Sequence, residues 1–154
     1  MSINKYFSWS LVLVWMILIF YLSHQPGTQS SELSSNFVYV VRTLIETFFP
    51  TISFDLENLS FLIRKGAHFF AYFVLGILVT CSYRSSGVVG YKIVVFSLVV
   101  CILYAISDEI HQLFVPGRSG EVRDVLIDSI GSACGVFLIV GIRNLRKKKL
   151  LNTV

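Results

Sequence analysis

Tyr91-Lys92-Ile93-Val94-Val95-Phe96-Ser97-Leu98-Val99-Val100-Cys101-Ile102-Leu103-Tyr104-Ala105-Ile106-Ser107, closed by Asp108 and Glu109, is the stretch that decides the fold. After Lys92 it carries no charge until Asp108. As a helix it is long enough to cross the hydrocarbon of a bilayer, which takes roughly 17–25 residues. Three more apolar runs of similar size follow the same pattern, at 6–22, 66–81 and 122–142. Hydrophobic residues make up 55% of the chain and charged ones only 14%. Soluble domains hold roughly 25% charged residues, so this composition could not clothe a water-facing surface. The expectation is an all-α integral membrane four-helix bundle forming one domain over 1–154. Lys5 precedes the first run as it would in a signal peptide. The stretch Ser23-His24-Gln25-Pro26 lacks the small-x-small cleavage pattern, so that run reads as a retained helix.

A net charge of +4 could suggest nucleic acid, but the cations do not form a face interleaved with aromatics. Arg143, Arg146, Lys147, Lys148 and Lys149 crowd behind the last apolar run, as the flank of a membrane helix does. No nucleic-acid partner is expected. With four spans the termini share a side, and Lys5, Arg84 and Lys92 join those cations there. Arg42, Arg64, Lys65, Arg118 and Arg123 fall on the other side. All nine acidic residues lie on that second side or in the helix ends facing it. The positive-inside rule therefore puts both termini in the cytoplasm and the acids at the outer face. Cys81, Cys101 and Cys134 sit inside apolar runs at unrelated spacings and read as small hydrophobes, without a disulfide framework or metal motif.

The connection 24–64 is too long for a bare turn. Its first part, with Pro26-Gly27 and many Ser and Thr residues, reads as loop. Leu33, Phe37, Val40, Val41, Leu44, Ile45 and Phe48 then recur at helical spacing until Pro50, which predicts an amphipathic helix at the outer surface or capping the bundle. A shorter apolar stretch, 52–63, leads into the second span.

Residues three and four apart share a helix face. The second span presents Lys65, His68, Tyr72 and Gly76 on one side. The third presents Ser97, Cys101, Tyr104, Asp108 and then His111 or Gln112. The fourth presents Asp124, Asp128, Gly131 and Gly135, the two glycines forming a G-x-x-x-G that lets a neighbouring helix come close. An ionisable group inside a span costs from about 2.5 kcal/mol upward unless it is paired or wet. The economical arrangement turns all three stripes inward around a polar cavity open to the outer leaflet. Between the third and fourth spans, Leu113-Phe114-Val115 is apolar enough to dip into the interface as a re-entrant segment. Pro116-Gly117 then makes a turn, which would hang Arg118 over the cavity.

These residues, at these spacings, resemble the VanZ-like family. The resemblance is carried by Arg64-Lys65-Gly66-Ala67-His68-Phe69 with Tyr72, by Asp108-Glu109 with Gln112, by Pro116-Gly117-Arg118, and by Asp124-Val125-Leu126-Ile127 with Gly131. Ser23, Gln25, Pro26 and Gly27 are similar to that family's N-terminal motif. Two positions depart from it: Asp128 stands where asparagine is expected, and Ala71 where glutamate is common. The resemblance implies a bacterial cytoplasmic-membrane protein, and the family's namesake is associated with resistance to teicoplanin, a lipid-tailed glycopeptide. That association names a phenotype and no reaction.

Three readings of the polar cluster stand side by side. In the first, the cavity binds a lipid head group or a lipid-linked cell-wall precursor through Gln25, Lys65, Tyr72, Gln112, Arg118, Asp124 and Asp128. In the second, the protein is a hydrolase or transferase acting on such a lipid. His68 would then be base or nucleophile, Asp108 or Glu109 its partner, and Lys65 and Arg118 the cations on phosphate. In the third, the stripes only glue helices together through pairs of Lys65 or Arg118 with carboxylates, Asp124 and Asp128 pairing with Arg123 or Arg118. His24 and His111 read as interfacial. A metal on His68, Asp108 and Glu109 is chemically conceivable, but no ligand spacing announces one. No metal and no other cofactor is expected from the sequence.

Overall fold

A computed structural model describes residues 4–48 and 56–151, and all regular structure among them is helical. The elements are α1 (Lys5–Ser23), α2 (Gly27–Phe48), α3 (Leu56–Ser85), α4 (Tyr91–Gln112) and α5 (Val122–Leu151). Four of them are long and apolar enough to cross a membrane, over Lys5–Ser23, Asn58–Ser85, Tyr91–Gln112 and Val122–Arg146. Every helix outlasts the apolar run that predicts it. At 1.5 Å per residue, a 30-residue helix such as α5 is about 45 Å long, against roughly 30 Å of hydrocarbon. Hydropathy marks only the part in oil; backbone hydrogen bonding carries the helix on into the polar ends.

The expected loop after Pro26 is helix instead, because α2 starts at Gly27. A run of Ser and Thr is only weakly unfavourable to helix, and Pro26 suits the entry to one. Gly27 is also anchored from outside, its N–H donating to the Pro116 carbonyl at 3.1 Å. The amphipathic helix is therefore present but longer than its apolar period suggests, with Val38 buried and Phe37, Val40 and Phe48 exposed. Pro50 and residues 52–55 lie outside the described residues, as do the side chains of Leu33, Leu44 and Ile45.

α3 ends where Gly87, at a φ of 85°, lets the chain reverse. The Gly87 N–H reaches the Arg84 carbonyl and that of Val88 reaches Tyr83, both at 3.0 Å, a pairing that satisfies the last helical carbonyls. The link 113–121 is a run of turns. Val115 is buried, whereas Leu113 and Phe114 face outward, so this is a short corner with one apolar residue tucked in.

The α3–α5 interface is the most extensive in the bundle. A Cβ added at Gly131 would strike the Phe69 carbonyl oxygen, one at Gly135 the Phe73 carbonyl, and one at Gly76 the Ser132 carbonyl. The G-x-x-x-G works together with a third glycine from the facing helix to bring the two backbones together. α1 lies against α3 and is pinned to its neighbours by polar tips. Trp15 donates to the Ala71 carbonyl at 2.9 Å, and Tyr104 of α4 donates to the Met16 carbonyl at 2.6 Å.

The burial pattern is inverted relative to a soluble protein. Leu13, Val14, Ile17, Leu103, Ile130 and Phe137 point outward, while Asp108, Glu109, Gln112, Asp124, Asp128, Ser97 and Ser132 are buried. Water would not stabilise that surface; lipid would.

Candidate functional site

The three stripes converge. Lys65, His68 and Tyr72 of α3, Asp108, Glu109 and Gln112 of α4, and Asp124 and Asp128 of α5 all sit at one end of the bundle, joined by Ser23 from the last turn of α1. Of the two alternatives at the end of α4, Gln112 turns inward. His111 instead meets His24, with ring nitrogens 3.1 Å apart and Phe20 against the pair.

Two networks make up the site. In the first, Asp108 Oδ2 accepts from Ser23 Oγ at 2.9 Å and from the Tyr72 hydroxyl at 3.4 Å. Gln112 Nε2 donates to Ser23 Oγ and to Glu109 Oε1, both at 3.4 Å. The other Glu109 oxygen accepts from the Glu121 backbone N–H at 2.8 Å, fixing the start of α5 on α4. In the second network, Lys65 Nζ donates to Asp124 Oδ1 and to Glu121 Oε2, the latter at 3.0 Å. His68 Nδ1 stands 3.5 Å from Asp128 Oδ1. Lys65 pairs with Asp124 and Glu121, one of the cation–carboxylate pairings weighed for helix gluing, whereas Asp128 faces His68 rather than Arg123 or Arg118. Asp108, offered as the partner of His68, is turned toward Ser23 and Tyr72.

Not every buried oxygen is satisfied. Among the described residues, Asp108 Oδ1 and both carboxylate oxygens of Asp128 are buried without a hydrogen-bond partner. Such groups are rare and call for an explanation.

A cavity of about 210 Å³ opens beside the networks. Its polar lining is Ser23, Gln25, Arg64, His68, Tyr72, Asp108 and Arg118, and its apolar lining is Ile19, Leu22, Ile63, Ala67 and Ala71. A smaller recess of about 90 Å³ takes in Lys65, Gln112, Glu121 and Asp124, with Arg64 and Arg118 shared between the two. Glu109 and Asp128 line neither and lie behind His68. Arg118 is fixed by the end of α1 and the residues just after it, donating from Nε to the Gln25 carbonyl at 3.0 Å and from a terminal nitrogen to the Leu22 carbonyl at 3.1 Å. A guanidinium over the carbonyl end of a helix is favourably placed. Partial burial pulls its pKa below the ordinary value, and it remains a cation.

A family model described as VanZ/LLP1 matches residues 8–144. The chain belongs to the VanZ/LLP1 family. No curated protein and no solved structure matches it. The matched region takes in all but the outer ends of α1 and α5, and every residue of the two networks. In this VanZ-like membrane protein Asp128, expected from the resemblance to be asparagine, is the most deeply buried acid of the site. Ala71 lines the cavity, so the space beside His68 is walled by a methyl group.

The sequence reading overlooked Arg64, Glu121 and Ser23 as site residues. Arg64 borders both cavities, Glu121 shares the Lys65 ammonium, and Ser23 joins Asp108 to Gln112. Arg64 lies four residues before His68, so helical spacing already put it on that face, whereas Ser23 lies two residues before Gln25 and on no stripe. The metal-competent grouping also differs from the one considered. One donor atom each from His68, Glu109 and Asp128 falls within a mutual 4.8 Å, with Asp128 in the place foreseen for Asp108.

Proposed function

We propose that this protein binds the anionic head group of an envelope lipid or lipid-linked cell-wall precursor from the outer leaflet of the cytoplasmic membrane. The observation that carries this reading is the mixed lining of the cavity, which brings Arg64 and Arg118 together with Ile19, Leu22, Ile63 and Ala71. A head group needs cations for phosphate, and its acyl chains need an apolar exit; this lining offers both. Its size suits the phosphate end of a lipid rather than a whole antibiotic. A contribution to teicoplanin resistance follows if a sequestered precursor changes how much antibiotic reaches its target.

The topology belongs to the same proposal. Cations crowd the end of α5 and acids crowd the end that holds the cavity, a distribution that supports both termini lying in the cytoplasm. A reporter fused after Val154 should be active only on the cytoplasmic side, and activity outside would overturn it.

The head-group reading is tested with the full chain in nanodiscs. Native mass spectrometry should find phosphatidylglycerol retained over phosphatidylcholine, and Arg118→Ala together with Arg64→Ala should abolish the preference. Equal retention of both lipids by the unaltered chain refutes it.

A hydrolase or transferase is favoured by one observation, the His68–Asp128 approach of 3.5 Å. A carboxylate facing an imidazole is the arrangement that orients a general base. Lipid extracts from cells expressing the chain or its His68→Ala variant, compared by mass spectrometry, decide this. Identical lipid profiles remove the enzyme reading.

A further inference from the structure

We propose that His68, Glu109 and Asp128 hold one divalent metal ion of the zinc or manganese type, a site that goes beyond head-group binding and does not depend on it. One donor atom from each residue lies within 4.8 Å of the others, a span that a single ion can bridge at bond lengths of about 2.0–2.2 Å with modest side-chain adjustment. The independent observation is Asp128 itself. Its side chain is fully buried and neither of its oxygens makes a hydrogen bond, although Oδ1 stands 3.5 Å from His68 Nδ1. A fully buried carboxylate without a hydrogen bond, close to an imidazole and a second carboxylate, suits a cation between them.

Charge supports the same assignment. Asp108, Glu109, Glu121, Asp124 and Asp128 face Arg64, Lys65 and Arg118 at this end of the bundle, and Lys65 is already committed to Glu121 and Asp124. A two-plus ion would offset the excess of buried carboxylate, whose isolation from water is costly. The donor set selects the metal class. An imidazole with two carboxylates suits zinc or manganese. Calcium collects six to eight oxygens, and no thiolate is in the group to favour copper(I). With three protein ligands, a further coordination position would remain for water or an oxyanion, and His68 among them lines the cavity.

The test uses the full chain in detergent, purified without a histidine tag, stripped with chelator, and titrated with zinc or manganese alone. About one equivalent should bind. Asp128→Asn and Glu109→Gln should each weaken binding by about tenfold or more, while His24→Ala/His111→Ala should bind as the unaltered chain does. Metal should also raise the thermal unfolding temperature of the unaltered chain, and cobalt bound to it should show an imidazole-coordinated spectrum. Those two readings stand even if a carboxylate variant does not fold. Substoichiometric uptake by the unaltered chain, full affinity in both carboxylate variants, or loss of binding in the His24/His111 variant would each overturn the site. Because lipid is absent from this titration, its failure leaves the head-group assay unaffected, and the reverse also holds.

Discussion

Replacing Lys65 by methionine isolates the clamp between α3 and α5. The Lys65 side chain is 11% exposed and that of Asp124 8%, whereas that of Glu121 is 44% exposed. Removing one partner of a buried ion pair typically costs about 3–5 kcal/mol, because the other charge is left without compensation. A half-exposed pair contributes at most about 1 kcal/mol. Lys65→Met should therefore destabilise the fold by about 3 kcal/mol, the low end of the range because the site borders a polar recess. Glu121→Gln should cost no more than about 1 kcal/mol. Equilibrium unfolding in mixed micelles, followed by circular dichroism on the full chain, measures both. The decisive comparison is the double variant Lys65→Met/Asp124→Asn, which removes the stranded carboxylate and should recover about 2 kcal/mol relative to the sum of the singles. If Lys65→Met costs no more than Glu121→Gln, or if Lys65→Met and Asp124→Asn simply add, the clamp does not hold the helices together.

Other substitutions test the packing and the cavity separately. Gly135→Val should destabilise by about 1–3 kcal/mol or more, since its side chain meets the Phe73 carbonyl. Gly66→Ala, with open space around it, should stabilise by about 0.5–1 kcal/mol through helix propensity; the same micelle titration ranks the two. Trp15→Phe loses the bond to the Ala71 carbonyl and should cost about 1 kcal/mol, with a Trp9→Phe chain reporting the Trp15 environment by fluorescence. Ser23→Ala removes the donor that holds Asp108 Oδ2. It should loosen head-group retention in nanodiscs severalfold while leaving helix content by circular dichroism unchanged.

The existence of four membrane helices was legible because oil imposes length and composition directly, and the polar stripes were legible because spacing fixes which residues share a face. Helix ends were not, since α3 begins at Leu56 and α5 runs to Leu151 on hydrogen bonding that hydropathy does not register. Pairing across helices was the harder matter. Spacing shows that Lys65, His68, Asp124 and Asp128 face inward, but which meets which depends on helix rotation and separation. Those are set by Gly76, Gly131 and Gly135 against carbonyl oxygens, and that closeness brings Lys65 to Asp124 and His68 to Asp128 while Arg118 is drawn away to the end of α1. The start of α2 was missed for a related reason, because Gly27 is fixed by a partner far off in sequence, Pro116.

That meeting of Gly27 with Pro116 and Gly117 ties two distant corners into one knot. The knot also carries Arg118, whose guanidinium reaches back to α1. A pull on α2, whether from a docking protein or a change in bilayer curvature, would reach the mouth of the cavity through three residues of main chain, without any rearrangement of the four rods.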